Sequence, residues 1–254
     1  MNSLTVVKVG GGVLEDSTAT HEFLTRFAAI AGSKILVHGG GREATRVQEQ
    51  LGIPIQMVEG RRVTDAETLK VVTMVYGGLI NKQTVARLQT KNCNAIGLCG
   101  ADAGVIIAKK RPIENIDYGF VGDIEKVDSE IIASLLELEL VPVFAPLTLD
   151  EKGNILNTNA DTIASEVAIA MASLYRVNLV CCFDMPGVLS NPNDVKSVIP
   201  TIDPETYLQL KEEGVITDGM IPKLDNFFSA IKRGVSSIVI TDANLGAGTR
   251  LAKE

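Results

Sequence analysis

Two glycine runs near the N-terminus, each after a short apolar segment, have the composition of turns that bind anions. They are residues 8–12, KVGGG, and residues 38–41, HGGG. Consecutive glycines let the backbone approach a ligand closely and point N–H groups at it, and a helix N-terminus behind them favours an anion. If the apolar segments are neighbouring strands, both turns lie at one sheet edge, where open α/β folds bind ligands. The alternative is two tight turns without a ligand.

Two later segments place charged side chains near the starts of helices. Residues 157–161, NTNAD, predict a helix with Asn159 as its N-cap and Asp161 in its first turn. Residues 217–223, TDGMIPK, put Lys223 in the first turn of the next helix, where the helix dipole disfavours a cation. A lysine at that position is explained if it faces a bound anion. Capping and solvation are the structural alternatives for these segments.

Two other nucleotide-binding motifs are relevant to these glycines. The P-loop pattern, Gly-x4-Gly-Lys-Ser/Thr, is absent. Residues 39–44 fit the loose dinucleotide fingerprint Gly-x-Gly-x-x-Ala, and Glu59 lies 20 residues beyond its first glycine. An NAD-dependent oxidoreductase is therefore an alternative, although it leaves Lys8 and everything after residue 150 without a role.

The elements that must position these residues alternate between short apolar runs and longer amphipathic ones. This alternation predicts an α/β fold with a mostly parallel sheet and helices on both faces. The predicted strands, rich in Val and Ile, are residues 6–9, 35–38, 95–98, 141–145, 178–183 and 237–241. Residues 105–125 differ, and their glycines predict antiparallel hairpins.

Helix limits can also be predicted from the sequence. Residues 64–67, TDAE, have the form of a capping box, and the helix after Gly41 is expected to end at Gly52, ahead of a proline. In the helix after Asn159, apolar residues recur at the spacing of one face. Those residues are Ile163, Val167, Ala170 and Leu174.

Bulk composition narrows the class of protein. The chain has 254 residues, 46% of them hydrophobic, and a net charge of -7. An acidic chain without a long basic run is a poor nucleic-acid binder, and no apolar stretch approaches the roughly 20 residues that cross a bilayer. Because a strand pattern begins directly after Leu4, we expect no signal peptide, no membrane association and a cytoplasmic protein. With two histidines in all, a histidine-based metal site is not expected.

Taken together and in this order, these segments resemble the amino acid kinase family. The similarity covers nearly the whole chain, and the combination of motifs is specific where each motif alone is not. The matching segments are residues 8–11, 38–41, 60–64, 157–161 and 219–224, with weaker matches at 81–82, 119–122 and 248–250. The resemblance implies a three-layer αβα sandwich with two lobes. Residues 1–175 would bind the amino acid substrate and form the dimer, and residues 176–254 would bind ATP.

The resemblance also implies roles for individual residues. The implied catalytic residues are Lys8 and Lys223, which would stabilise the transferring phosphoryl group, and Asp161, which would orient both lysines. The implied substrate-binding residues are Gly40, Gly41, Arg62 and Asn157. The implied ATP-binding residues are Gly10, Gly11, Asp184, Gly187, Gly219, Met220 and Lys223. Mg²⁺ would be held by the ATP phosphates, without a metal site in the protein. The family usually has Ser or Thr before the aspartate of its nucleotide loop, where Phe183 stands here.

The implied reaction is ATP-dependent phosphorylation of the γ-carboxylate of an N-acylated glutamate, with N-acetyl-L-glutamate, an intermediate of arginine biosynthesis, as the expected acceptor. A carboxylate is ionised at neutral pH, so the reaction needs no general base. Its difficulty is the approach of two anions, which paired lysines and converging N–H groups relieve. Alternatives with the same chemistry are N-succinyl-L-glutamate or an aminoadipate derivative. A non-catalytic amino acid sensor is a further alternative, and the retention of both lysines and Asp161 argues against it.

The resemblance also bears on assembly. Arginine-inhibited members of this group carry an extra helix before the first strand, and this sequence enters its first strand at once. We therefore expect a homodimer that is insensitive to arginine.

Overall fold

The predicted apolar strands pair into one central sheet. The computed structural model describes residues 1–58, 60–216 and 220–253. The strands are β1 (Ser3–Val9), β2 (Ser33–His38), β3 (Met57–Val58), β4 (Arg61–Arg62), β5 (Ala95–Leu98), β6 (Ile106–Lys110), β7 (Gly122–Val127), β8 (Val141–Phe144), β9 (Leu147–Leu149), β10 (Ile155–Asn157), β11 (Arg176–Cys182), β12 (Thr201–Ile202), β13 (Ser237–Thr241) and β14 (Thr249–Leu251). Within the described residues the central sheet has the order β12-β14-β13-β11-β1-β2-β8-β5.

The central sheet is mostly parallel, as predicted. β1 pairs in parallel with both β2 and β11, whereas β13 and β14 are antiparallel. The strands that precede residue 175 in the chain lie on one side of β1, and those that follow it lie on the other. The carboxyl end of β1 is therefore placed where the two halves of the sheet meet.

Helices cover both faces of the sheet. They are α1 (Gly11–Glu15), α2 (Ser17–Ala28), α3 (Gly41–Leu51), α4 (Ala66–Val72), α5 (Asn81–Gln89), α6 (Ser129–Glu137), α7 (Ala160–Met171), α8 (Pro204–Glu212) and α9 (Ile221–Lys232), with a π-helical segment at Thr73–Ile80 and a 3₁₀ turn at Asp102–Gly104. Alternate residues of β1 point to opposite faces: Val6 packs in the cluster with α6, α7 and α9, and Val7 packs in the cluster with α2 and α5. The αβα sandwich is confirmed.

A smaller sheet lies beside the central one. It has the order β10-β9-β6-β7, and β6 and β7 form the antiparallel hairpin predicted for residues 105–125. β3 and β4 form a separate short hairpin that carries Arg62. None of the helices in the part of the chain that the structure describes is long and apolar enough to cross a membrane.

The capping box predicted at residues 64–67 is wrong. Asp65, not Thr64, is the N-cap of α4, and its side chain accepts a hydrogen bond from the Thr68 N–H at 2.8 Å. The hydroxyl of Thr64 is buried and accepts instead from Asn157 Nδ2 at 3.0 Å. The Thr64 hydroxyl therefore bonds to a distant residue, Asn157, and does not cap the helix as the local pattern predicted.

The helix that follows Asn159 ends earlier than predicted. Ile163 and Val167 are fully buried, as their spacing indicates. α7 ends at Met171, however, because the chain turns there towards β11. Leu174 lies beyond the helix and is 37% exposed, so it does not extend the buried face.

Candidate active site

The two glycine turns lie side by side at the carboxyl ends of β1 and β2. Their backbones approach so closely that a Cβ added to Gly11 would lie 3.0 Å from Gly40 Cα. The N–H of Gly39 donates to Val9 O at 2.9 Å and ties the second turn to the first strand. A Cβ on Gly40 would lie 2.6 Å from Ile80 Cδ1. Close packing therefore requires small residues at both turns, and their other side faces an open cleft.

Lys8 points from β1 into this cleft, towards the first turn of α7. Leu4 and Val6 face the α7 side of the sheet, and the alternation along a strand puts Lys8 on the same face. Its Nζ lies 2.8 Å from Asp161 Oδ1, and the two side chains are 9% and 16% exposed. Asn159 fixes the turn that carries the aspartate, since its Oδ1 accepts from the Asp161 N–H at 2.8 Å.

Lys223 approaches Lys8 from α9. Its Nζ lies 4.1 Å from the centre of the Phe183 ring, and Lys8 Nζ lies 4.6 Å from the same centre. The two ammonium nitrogens are thus separated by no more than the sum of these distances. Burial lowers the pKa of Lys223, the charge of Asp161 opposes this change, and the charge of Lys8 adds to it. The structure therefore brings Lys8, Asp161 and Lys223 together, although they are far apart in the chain.

Arg62 is buried next to the second glycine turn. Its Nη2 donates to Gly41 O at 2.8 Å and to Thr45 Oγ1 at 2.6 Å, and its Nη1 donates to Gln48 Oε1. From its sequence context alone, Arg62 would be read as a surface charge in a loop. Instead, α3 fixes the plane of its guanidinium at the wall of the cleft.

Asn157 is held against the segment that carries Arg62. Its Nδ2 donates to the hydroxyl of Thr64, which in turn donates to Arg62 O at 3.0 Å. Gly119 closes over this contact with a φ of 72°, and a Cβ there would lie 2.2 Å from Thr64 O. The weaker motif at residues 119–122 thus has a packing role. The residues that line the cleft include Lys8, Gly10, Gly11, Gly40, Gly41, Arg62, Asn157 and Asp161.

Three of the residues predicted to bind ATP line a second cavity next to the cleft. Gly10 and Gly11 line both cavities together with Lys8, and Asp184 lines the second one. Asp184 is exposed and forms an ion pair with Arg42 at 3.3 Å. This ion pair joins the start of α3 to the loop after β11.

The remaining predicted nucleotide contacts have different surroundings. Met220 is partly buried and precedes the first residue of α9. Gly187 is buried, and a Cβ there would lie 2.7 Å from Thr249 Oγ1, which accepts from the Val188 N–H at 2.8 Å. Packing on β14 thus accounts for this glycine without a ligand. Gly219 lies outside the described residues, as does Glu59 of the dinucleotide alternative.

A buried His38–Asn81 pair supports the second glycine turn from below. His38 Nδ1 lies 2.8 Å from Gly39 O, and Asn81 Nδ2 lies 3.2 Å from His38 Nε2. Burial lowers the pKa of His38 to about 4, so the ring is neutral at physiological pH. A neutral ring that accepts from Asn81 at Nε2 must donate from Nδ1, which fixes the tautomer. Asn81 Nδ2 also donates to Val143 O at 2.9 Å and anchors the pair to β8.

Three of the contacts just described were not predicted from the sequence. They are the Phe183 ring beneath both lysines, the Thr64 hydroxyl behind Asn157, and the neutral His38–Asn81 pair. In the sequence, residue 183 departs from the Ser or Thr that is usual in the family, and residues 81–82 are a weak match to a family motif. Neither signal indicates what these side chains contact.

The chemistry available in this cleft is charge stabilisation. Lys8 lines the cleft together with the glycine turns. Lys223 lies beside the same Phe183 ring as Lys8. Among residues 1–58, 60–216 and 220–253, no group of three or more His, Cys, Asp or Glu side chains is placed to hold a metal ion. The arrangement suits phosphate groups.

Comparisons with known proteins agree with this geometry. The Amino acid kinase family matches residues 3–242. An acetylglutamate kinase of Phocaeicola vulgatus is 58% identical and covers 98% of both chains. An acetylglutamate kinase of Cytophaga hutchinsonii is 57% identical over 96% of this chain and 92% of its own. A crystal structure of a Streptococcus mutans protein superposes with a TM-score of 0.82 at 27% identity and covers 98% of both chains.

Proposed function

The chain belongs to the amino acid kinase family, and we propose that its cleft holds ATP and N-acetyl-L-glutamate for transfer of the γ-phosphoryl group to the γ-carboxylate of the acid. The observation that carries this proposal is the meeting of Lys8 and Lys223 beside Asp161, above two glycine turns. The matched relatives are named for the same reaction, and they match this chain over almost its whole length.

The proposed mechanism depends on neutralising two negatively charged reactants. The acceptor is already a carboxylate and attacks without a general base. Lys8 and Lys223 would stabilise the charge on the phosphoryl oxygens during transfer, and Asp161 would hold Lys8 in position. A Mg²⁺ ion bound to the phosphates would supply further positive charge. The neutral, fully buried His38 takes no part as a base.

The acid would bind beside α3. We propose that Arg62 and Asn157 hold its α-carboxylate. Three of the five guanidinium N–H donors already bond to Gly41 O, Thr45 and Gln48, so Arg62 would attract the carboxylate through its charge and its two remaining donors. Gly40 and Gly41 would bind the acyl-amino acid through backbone N–H groups. Burial of Arg62 supports this role, because a fixed guanidinium loses little freedom when it binds.

ATP would bind across the end of the β1–β11 pair. Gly10 and Gly11 would contact its phosphates next to Lys8 and Lys223. We assign the remaining nucleotide contacts to the loop after β11 and to the start of α9. These residues are Asp184, Gly187, Gly219 and Met220. The lobe division proposed near residue 175, with residues 1–175 for the acid and residues 176–254 for ATP, is supported by the two halves of the sheet on either side of β1.

We further propose a cytoplasmic homodimer formed by the N-terminal lobe. β5 is the last strand of the central sheet in the described part of the chain, so one of its edges is available for contact. Met74 and Leu79, on the nearby π-helical segment, are 58% and 40% exposed. Such exposed apolar side chains mark candidate interfaces. Light scattering of the purified protein should give twice the chain mass of 27.1 kDa.

One assay tests the proposed reaction. The protein is incubated with MgATP and N-acetyl-L-glutamate, and hydroxylamine traps the acyl phosphate as a coloured hydroxamate. N-succinyl-L-glutamate and an N-acylated aminoadipate are run in parallel. Hydroxamate from the acetyl acid supports the proposal, and hydroxamate from another acid alone would change the acceptor. No product from any acid, together with NAD binding, would favour the oxidoreductase alternative.

A further inference from the structure

Phe183 is the residue at which the nucleotide loop departs from the usual family pattern. It follows β11 directly, and its N–H donates to Thr241 O at 2.8 Å, which ties it to the end of β13. Its ring packs against Phe227 of α9, with ring centres 6.5 Å apart. Since Phe227 is fully buried, the Phe183 ring is supported from the hydrophobic core.

The supported ring contacts both lysines of the cleft. Lys223 Nζ lies 4.1 Å and Lys8 Nζ lies 4.6 Å from the ring centre. An ammonium group within about 6 Å of an aromatic ring centre is attracted by the negative face of the ring. The attraction is strongest where water is excluded, and both side chains here are at least partly buried.

The two ammonium groups repel each other, and the charge of Lys8 lowers the pKa of Lys223. Within the described part of the chain, Asp161 pairs with Lys8 at 2.8 Å, and the charges of Asp161 and Asp184 act on Lys223. We propose that Phe183 is a positioning residue whose ring holds the ammonium groups of Lys8 and Lys223 together, ready for the transferring phosphoryl group. This inference rests on the proposed phosphotransfer function.

Phe183, where the family usually has Ser or Thr, changes what the nucleotide loop contributes to the site. A Ser or Thr hydroxyl at this position can form one hydrogen bond, whereas a phenyl ring forms none and attracts cations through its face. We expect Phe183→Leu, which keeps an apolar side chain without the ring, to lower kcat about three- to thirtyfold. The KM for ATP should change less than kcat, because the proposed role of the ring is to hold the two lysines that act during transfer.

A fluorinated series separates the electrostatics of the ring from its shape. Phenylalanine, 4-fluoro-, 3,5-difluoro- and 3,4,5-trifluorophenylalanine are incorporated at position 183, and kcat is measured with MgATP and N-acetyl-L-glutamate. Each fluorine weakens the negative face and leaves the ring in place. We expect log kcat to fall stepwise, with the trifluoro ring approaching the loss in Phe183→Leu. The matched control is the same series at Phe23 of α2, which is fully buried in the other core cluster, and there kcat should not change with the number of fluorines.

A second measurement does not depend on activity. In the free protein, the ε-methylene NMR signals of Lys8 and Lys223 should be shifted upfield by the Phe183 ring current and should return in Phe183→Leu. Lys8→Arg and Lys223→Arg assign the two signals. Two shifted signals with a falling kcat series support the inference. If kcat stays constant or rises with fluorination at position 183, or if the lysine signals are not shifted, the role proposed for Phe183 is wrong. The proposed kinase activity would not be affected by that result. Absence of hydroxamate from the unsubstituted protein instead overturns the proposed function, and the NMR signals still decide the role of Phe183.

Discussion

Lys8 Nζ and Asp161 Oδ1 lie 2.8 Å apart and join the end of β1 to the first turn of α7 in a mostly buried ion pair. The pair places a cation where the two halves of the central sheet meet. Because α7 supplies the aspartate and β1 the lysine, the ion pair links the helix to the strand on which it packs.

This ion pair gives a first prediction, for Asp161→Asn. The substitution leaves the Lys8 charge without its partner, and breaking a buried pair costs about 3–5 kcal/mol. With some water access to this cleft, we expect the free energy of unfolding to fall by about 2–4 kcal/mol and kcat by about tenfold or more. Urea denaturation and the hydroxamate assay measure the two effects.

The control for that prediction lies on the same helix. Glu166 pairs with Arg233 at 2.6 Å, but the arginine is 49% exposed, so the pair resembles a surface salt bridge. Glu166→Gln should cost less than about 1 kcal/mol and leave kcat unchanged. Equal losses in the two variants would mean that burial of the Lys8–Asp161 pair has no special effect.

A second prediction concerns Arg62. Lysine keeps the charge but cannot form the guanidinium bonds to Gly41 O, Thr45 and Gln48. We expect Arg62→Lys to raise the KM for N-acetyl-L-glutamate about tenfold or more while the KM for ATP changes little. Arg87→Lys, at an exposed position on α5, is the control. An unchanged KM for the acid would exclude Arg62 as a carboxylate ligand.

A third prediction compares alanine substitutions at Gly40 and Gly41, two neighbouring glycines of the second turn. A Cβ on Gly40 would lie 2.6 Å from Ile80 Cδ1 and 2.7 Å from Tyr76 Cδ1, whereas a Cβ on Gly41 meets nothing within 4 Å. Gly40→Ala should therefore lower the free energy of unfolding by about 1–3 kcal/mol, as overpacking does. Gly41→Ala should change it by less than about 1 kcal/mol. Thermal unfolding of both variants tests this, and similar losses would contradict the packing described.

His38 gives a fourth prediction, for pH. The folded ring has a pKa of about 4 and the unfolded ring about 6.5, so the unfolded chain binds the extra proton between these values. Stability from the neutral ring is present above pH 6.5 and is lost as pH falls towards 4. Between pH 7 and pH 5, the free energy of unfolding should fall by about 2 kcal/mol through this group.

The experiment is urea unfolding of wild type and His38→Gln at both pH values. The substituted protein is less stable at pH 7 but should lose about 2 kcal/mol less than wild type on going to pH 5. His21→Gln, at an exposed histidine on α2, should keep the wild-type loss. Equal pH dependence in wild type and His38→Gln would show that burial of His38 does not govern acid stability.

Much of the fold could be predicted because its signals are local. The apolar runs that predicted β1, β2 and β11 are buried on both faces and hence continuous in the sequence. Asn159 was identified as an N-cap because capping depends on two or three neighbouring residues. The same locality explains the end of α3 at Gly52, which has a φ of 68°.

The parts that were not predicted depend on contacts between distant segments. The hydroxyl of Thr64 had a plausible local use as a helix cap, and its bond to Asn157 arises only after the small sheet packs on α4. Arg62 was assigned to the substrate through the family resemblance alone, because its partners on α3 precede it by 14 to 21 residues and no local pattern indicates its burial. The place of Phe183 beneath two lysines requires β1, β11 and α9 to meet, which no local pattern describes.

The turnover of Lys223→Ala tests the central claim most directly, because this substitution removes one converging cation and leaves the Lys8–Asp161 pair in place. Lys232→Ala, at an exposed position near the end of the same helix, is the matched control. Removing a cation from the transferring phosphoryl group should cost about 3–4 kcal/mol of barrier, so kcat should fall at least about a hundredfold, with the circular dichroism spectrum and the control unchanged. A kcat for Lys223→Ala within about threefold of wild type would contradict phosphoryl transfer between paired lysines.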